Sequence, residues 1–338
     1  MAPRLPGFTR ASSLGPIAEF MDRQGGSVAR VLSDVDLPFA LLDRREMLVP
    51  LREQFRFLER AARETGDELF GARLGQAVRT SELSAFGAWV CAADTLMQAI
   101  ERAHAGLNGM LQTSTVLTLE RSGPTIRWWI AFLEPETVGR HHNELLGVGY
   151  MIDTIRMYAG RHWHPDRVMT ALPASARHSG LESVFGTNVS HGHAMPGIEF
   201  EATLLHRGLK ETPKSQALTG AEPRVPDQND ALEAIAAVTD LAAQESFPRI
   251  EWVAAKLGIT RRSLQRRLAA HDTTFNRMVE EILQARAKAL LADSRMSITD
   301  IALQLGYADP AHFTRAFRRW MGVMPSVYRE TAAGTACA

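Results

Sequence analysis

From residue 250 onward, apolar residues recur at helical spacing, and the same arrangement occurs twice. In the first copy Val253, Ala254 and Leu257 precede Gly258-Ile259, and Leu264 and Leu268 follow beyond Thr260 in an Arg-rich stretch. In the second, Ile301, Ala302 and Leu305 precede Gly306-Tyr307, and Phe313 and Phe317 follow beyond Asp309-Pro310. The period predicts two short helices per copy, crossing closely at the small Ala, with Gly ending the first helix in a backbone state that larger residues resist. Each copy reads as a helix-turn-helix. The outward positions of the second helices carry Arg262, Gln265 and Arg266 in one copy and His312, Thr314, Arg315 and Arg318 in the other, side chains suited to base edges and phosphates.

A single pattern of this kind is often only a packed helical hairpin. Here the segment between the copies has a matching pattern: Asp272-Thr273-Thr274 supplies capping side chains, and Phe275, Met278, Val279, Ile282, Leu283, Ala287, Leu290 and Leu291 follow at helical spacing. The predicted helix of about 18 residues is about 27 Å long. It suits a rod holding two recognition helices near the ~34 Å between successive major grooves on one face of DNA. Ser297-Ile298-Thr299-Asp300 has the capping-box form, and its helix start offers backbone N–H groups to a phosphate, although a plain structural cap explains it equally well.

The amino-terminal pattern differs. Pro50 to Glu64 and Thr95 to Leu111 read as amphipathic helices, and residues 116–119 and 126–130 as a hairpin around Arg121-Ser122-Gly123-Pro124. Asn143 to Tyr158 returns to helix, while Arg167 to Leu172 and Ile198 to Thr203 read as strands. The predicted fold class is therefore an α+β amino-terminal domain plus an all-α carboxy-terminal domain with two helix-turn-helix motifs joined by a long helix. Gly208 to Asp230 carries Pro213, Gly220, Pro223 and Pro226 without an apolar period and reads as a linker. Ala231 to Ala243 follows as a helix. These boundaries give domains at 1–207 and 229–332, with a linker at 208–228.

Composition changes this picture little: 338 residues with 45% hydrophobic and 22% charged content suit two globular domains. Charge is more informative once divided. Residues 248–330 hold 14 Lys and Arg against 8 Asp and Glu, a net +6, whereas the residues before them hold 24 against 30, a net −6. A basic carboxy-terminal domain fits a polyanion partner. No membrane span is visible, and Met1 to Arg10 is too polar and Pro-rich for a secretory leader, so a cytoplasmic location is expected. Two cysteines, Cys91 and Cys337, are too few for a disulfide framework or a cysteine zinc site.

No catalytic constellation emerges, and the chain is not expected to be an enzyme or to need a cofactor or metal. His141-His142-Asn143-Glu144 lacks the one-turn His pair of a zinc protease helix. His162/His164 and His191/His193 each place two imidazoles on one strand face, which fits a metal sensor less well than surface loops. Trp89, Trp128, Tyr150 and Trp163 are candidates for lining a small-molecule effector pocket, with ordinary core packing the alternative for each.

The run Arg286-Ala287-Lys288-Ala289-Leu290-Leu291, then Ile298-Thr299-Asp300-Ile301-Ala302, Gly306-Tyr307, His312-Phe313, Arg315-Ala316-Phe317 and residues 322–329 (GVMPSVYR) resembles the signature of AraC/XylS-type transcription regulators. Ala287 departs from it, since that family usually has a larger aliphatic residue there. The amino-terminal order resembles the arabinose-binding-type effector domain of a subgroup of these regulators. The resemblance implies base reading by Arg262, Gln265 and Arg266 from the first recognition helix and by Ala311, His312, Thr314 and Arg315 from the second, the first dominating. Arg261, Arg267, Thr299, Arg318 and Arg319 become phosphate candidates. It further implies an effector-responsive regulator, more an activator than a repressor, that binds double-stranded DNA as a homodimer and contacts RNA polymerase. A ligand-independent DNA-binding repressor and an enzyme-like sensor domain fused to a DNA-binding module are the competing readings. The scarcity of cysteine separates the chain from the DNA-repair relatives of the family, which hold zinc on a cysteine cluster.

Overall fold

The hairpin read from the sequence begins a five-stranded sheet. Strands β3 (Thr115–Ser122) and β4 (Thr125–Phe132) pair antiparallel from Thr115↔Phe132 to Ser122↔Thr125, so only Gly123-Pro124 turns the chain. The sheet continues in the order β3-β4-β7-β5-β6, with β5 at Arg167–Met169, β6 at Val189–Ser190 and β7 at Gly197–Glu201. Ile126, Trp128, Ile130 and Phe132 alternate along β4 and are all buried, as a half-covered strand requires. Arg127 on the other face pairs with Glu199 of β7 at 2.8 Å.

The structure, a computed structural model, describes residues 4–135, 137–175, 179–210, 224–227, 229–292 and 296–335. It divides into two compact units, one comprising Pro6–Leu37 and Leu41–Asp227 and the other holding the carboxy-terminal helices. In the first unit, β1 (Phe8–Arg10) pairs with β2 (Leu48–Pro50) as a separate two-stranded sheet. Its helices are α1 (Ile17–Arg23), α2 (Val28–Val35), α3 (Leu51–Thr65), α4 (Phe70–Ala77), α5 (Ser84–Cys91), α6 (Leu96–Gly106), α7 (Arg140–Ala159) and α8 (Leu181–Phe185).

Helix α7 lies at the centre, with 14 of its 20 residues buried. It crosses α4 at backbone contact: a Cβ on Gly149 would lie 2.4 Å from the Cα and carbonyl oxygen of Gly75. Only glycine permits that approach.

Three sequence expectations end early. Helix α6 stops at Gly106, and Leu107–Leu111 widens into a π-helix whose last N–H, from Gln112, reaches the Leu107 carbonyl at 2.8 Å. The strand expected to Leu172 ends at Met169, where the Thr170 hydroxyl takes the Leu172 N–H at 3.1 Å. The strand expected to Thr203 ends at Glu201: the Ala202 N–H still reaches the Pro124 carbonyl at 2.7 Å, and the chain then turns into a 3-10 helix over Ala202–His206.

Residues 211–223 of the expected linker lie outside the described residues. Its two ends belong to the first unit: Leu209 N–H donates to Asp94, Lys210 N–H to Met157 and Val225 N–H to Gly109.

The second unit consists of α9 (Ala231–Ala242), α10 (Ile250–Leu257), α11 (Arg261–Ala269), α12 (Phe275–Ala292), α13 (Ile298–Gln304), α14 (Pro310–Met321) and α15 (Pro325–Thr335). The expected 18-residue rod is α12, which buries Met278, Val279, Leu283, Ala287 and Leu291. Phe247, Tyr307, Phe313, Phe317 and Tyr328 meet in series, edge-on or tilted, with centroids 5.5–5.9 Å apart. Ala287 is fully buried in the same core as Phe313 and Phe317. No helix among the described residues is long and apolar enough to cross a membrane.

Candidate nucleic-acid interface and ligand cavity

The two helix-turn-helix units repeat the same local chemistry. In the first, Gly258 takes a left-handed φ of 63° after α10, and the N–H groups of Gly258 and Ile259 close on Ala255 and Ala254. The Thr260 hydroxyl then caps α11 by accepting from Ser263 N–H at 3.1 Å. In the second, Gly306 takes φ 82°, Tyr307 N–H closes on Ala302, and the Asp309 carboxylate caps α14 by accepting from Ala311 N–H at 2.8 Å. Pro310 at the first helical position needs no acceptor for its nitrogen. Ala254 and Ala302 are buried at the crossings, as are Leu264, Phe313 and Phe317.

Arg262, Gln265 and Arg266 are all exposed on α11 and, at i, i+3 and i+4, share one face. Arg261 is exposed but engaged, its Nη1 lying 2.9 Å from Glu251. Arg267 is half-buried, and burial lowers its pKa. On α14, Ala311, His312, Arg315, Arg318 and Arg319 are exposed. His312 Nε2 stands 3.7 Å from the capping Asp309 carboxylate. Thr314 is half-buried and its hydroxyl donates to the Pro310 carbonyl at 3.0 Å, so this side chain turns back along its own helix. Arg319 is bound to Glu280 of α12, which ties α14 to that helix. Thr299 is exposed in the first turn of α13, where Ser297 accepts from Asp300 N–H and donates to its carboxylate at 2.6 Å. The capping box is thus half formed, because the carboxylate meets the hydroxyl rather than a backbone N–H.

The first unit contains a cavity of about 80 Å³ between α5, α6, α7 and the β3–β4 hairpin. Trp128 and Tyr150 line it. Trp128 is buried, and its indole N–H donates to His104 Nε2 at 3.0 Å. Burial lowers the His104 pKa and favours the neutral ring that can accept this bond. Tyr150 is half-buried, its hydroxyl donating toward the Ser13 carbonyl at 3.3 Å, and burial raises its pKa.

The other two aromatic candidates lie elsewhere. Trp89 is 37% exposed beneath the Arg102 guanidinium and lines a separate pocket with Arg10 and Met110, while Trp163 packs edge-on to Phe200 at 6.3 Å. Sequence reading missed polar groups that line the cavity beside Tyr150: Ser13, Gln54, Thr80, Gln112, Asn143 and Thr154, all 6% exposed or less. Asn143 is buried on α7 together with His142, Glu144, Asp153 and Thr154, so the sequence pattern did not single it out.

Glu59, His141 and His142 bring possible metal-ligating atoms within 4.8 Å of one another. The Gly71 N–H donates to His142 Nδ1 at 3.4 Å, which leaves the ring proton on Nε2, 3.9 Å from Glu59 Oε2. A protonated Nε2 has no lone pair for a metal, and the other Glu59 oxygen accepts from Arg63 at 2.9 Å. The group therefore works as a polar clasp between α3 and α7.

Residues 25–209 match the family model for the arabinose-binding domain of AraC transcription regulators, N-terminal, and residues 253–331 match that for a helix-turn-helix domain. The HTH-type transcriptional regulator VirS of Mycobacterium tuberculosis is 25% identical over 96% of this chain and 97% of its own length. The ornithine utilization regulator of Pseudomonas aeruginosa is 38% identical over 27% of this chain and 26% of its own. The chain thus spans about a quarter of that regulator's length, and also of two uncharacterised mycobacterial regulators at 37% identity. Among solved structures, the transcriptional regulator CdpR from Pseudomonas aeruginosa aligns over 92% of this chain and 98% of its own at 20% identity and a TM-score of 0.39.

Proposed function

Because the chain belongs to the AraC family of transcription regulators, we propose that it is a sequence-specific DNA-binding regulator whose amino-terminal unit receives a small-molecule effector. One observation carries this reading. The exposed faces of α11 and α14, bearing Arg262, Gln265 and Arg266 on one and His312 and Arg315 on the other, occupy the second-helix positions of two helix-turn-helix units joined by α12. Arg and Gln reach guanine and adenine edges in the major groove by paired hydrogen bonds. Ala311, at the exposed start of α14, offers an apolar contact to a thymine methyl. Arg318 and the α13 start at Thr299 serve phosphates, joined by Arg261, Arg267 and Arg319 once their present contacts yield.

In the same reading the protein acts in the cytoplasm as a homodimer, the cavity at Trp128 and Tyr150 holds the effector, and the occupied form activates transcription through RNA polymerase. The test is selection of genomic fragments by the purified chain at near-physiological salt, with and without a metabolite extract, followed by sequencing. Enrichment of paired sites one or two helical turns apart, altered by the extract, is expected. Uniform weak retention of all fragments would reduce the tandem motif to a packing device.

A further inference from the structure

The first unit holds a second pocket between α5, the end of α6 and the π-helix at Leu107–Leu111, with a volume of about 390 Å³ against about 80 Å³ for the cavity at Trp128. The larger volume falls in the range of roughly 300–1,000 Å³ common to small-molecule sites. Trp89, Ala105 and Met110 give the pocket apolar walls. Glycine at 106 lets the Trp89 ring lie against the helix, since a Cβ there would come within 2.5 Å of it. The charged residues lining the pocket are two arginines, and they differ in what they face. Arg10 is buried and engaged: its Nε donates to the Met110 carbonyl at 2.6 Å, and its Nη1 lies 3.2 Å from the Glu46 carboxylate. Arg224 is exposed, and its guanidinium has no hydrogen bond or ion pair among the described residues. It is held at the pocket by its neighbour, because Val225 is buried and donates its N–H to the Gly109 carbonyl at 3.3 Å.

We propose that this pocket is a second small-molecule site, which takes an organic carboxylate with a flat apolar body. The Arg224 guanidinium pairs with the carboxylate, for which its planar fork of donors is suited. Trp89 and Met110 hold the body, an aromatic ring and a polarisable thioether both favouring a flat apolar partner. A cationic ligand would meet two guanidiniums, with the Glu46 carboxylate already engaged by Arg10. A small inorganic anion would leave the apolar walls unused. The site is separate from the cavity at Trp128 and Tyr150 and holds its ligand whether or not that cavity receives the effector.

The test titrates the full chain with naphthoate, the uncharged naphthamide and acetate, following heat and tryptophan fluorescence. Naphthoate is expected to bind about tenfold more tightly than naphthamide, and acetate not to saturate. Arg224→Gln should weaken naphthoate about tenfold and leave naphthamide within about twofold. Because Arg224 has no partner to lose among the described residues, the urea midpoint of this variant should match that of the unaltered chain. Trp89→Ala should weaken both naphthyl ligands about tenfold or more; it keeps the main-chain carbonyl that accepts from Arg102 at 2.8 Å. Naphthoate binding that Arg224→Gln leaves intact would overturn the proposal, as would no saturable binding of naphthoate. Acetate binding as tight as that of naphthoate, or naphthoate binding indifferent to Trp89→Ala, would overturn the apolar body. Equal affinity for naphthoate and naphthamide would overturn the carboxylate.

Discussion

Substituting alanine at Gly149 should separate α4 from α7. The new Cβ would sit 2.4 Å from Gly75 Cα and Gly75 O, both backbone atoms that cannot rotate aside. Reaching an ordinary contact demands that one helix retreat by about 1 Å, and overpacking of this kind costs about 1–3 kcal/mol, sometimes more. The substitution also gains about 1 kcal/mol of helix propensity. Gly147, two residues earlier in the same helix, supplies the control, because its added Cβ would meet only the Ile130 side-chain tip at 3.2 Å and Phe132 at 3.7 Å. The propensity gain is common to both variants and cancels, so Gly149→Ala should be less stable than Gly147→Ala by about 1–3 kcal/mol. In thermal unfolding that is a difference of roughly 3–9 °C for a unit of this size. Urea unfolding of the full chain, followed by fluorescence of the amino-terminal tryptophans, measures the difference directly. Equal midpoints for the two variants would refute the view that this crossing is held at backbone contact.

Arg266→Ala should cost about 1–3 kcal/mol on a selected site and relax preference at one base position, read by binding to site variants. Arg318→Ala should weaken all sequences alike and flatten the slope of log affinity against log salt by about one. Glu280→Gln releases Arg319 from its ion pair and removes a negative charge beside the recognition helix, so affinity for random duplex should rise; an unchanged value would mean that Arg319 does not face phosphate. Burial depresses the His104 pKa, so the neutral ring stabilises the fold at high pH, and that contribution fades as pH falls from about 6.5, the ordinary histidine value. His104→Gln keeps an acceptor for the Trp128 N–H without titrating. Between pH 7.5 and 5 the unaltered chain should therefore lose more stability than the variant, and parallel urea midpoints would count against this account.

The carboxy-terminal unit was legible because its signals are local. The left-handed glycines, the caps at Thr260 and Asp309 and the 18-residue apolar period each sit within a few residues of the feature they specify. The amino-terminal unit depends on distant partners. Helices α4 and α5 were not foreseen, because residues 70–77 and 84–91 are rich in small and apolar residues on every face and show no clear stripe. Strands β1 and β2 are three residues each and pair across nearly forty residues, and Gly75 meets Gly149 across more than seventy. The candidate interface was read residue by residue, yet the ion pairs at Arg261 and Arg319 and the inward turn of Thr314 depend on side chains that periodicity does not place. For the cavity, aromatic residues were the guide, whereas Ser13, Gln54 and Asn143, which meet one another in its lining, come from three remote segments.

Helix α12 carries angular information as well as length. Each residue in an α-helix advances about 1.5 Å and turns about 100°. In the proposed binding mode, one residue inserted near its midpoint would swing α13 and α14 by that angle relative to α11 and so change the direction in which Arg315 points. Seven inserted residues would nearly restore the angle while lengthening the rod by about 10.5 Å, close to three base-pair steps at 3.4 Å each. In the proposed binding mode the residue count of this helix therefore sets the angle between the two readers as well as their separation.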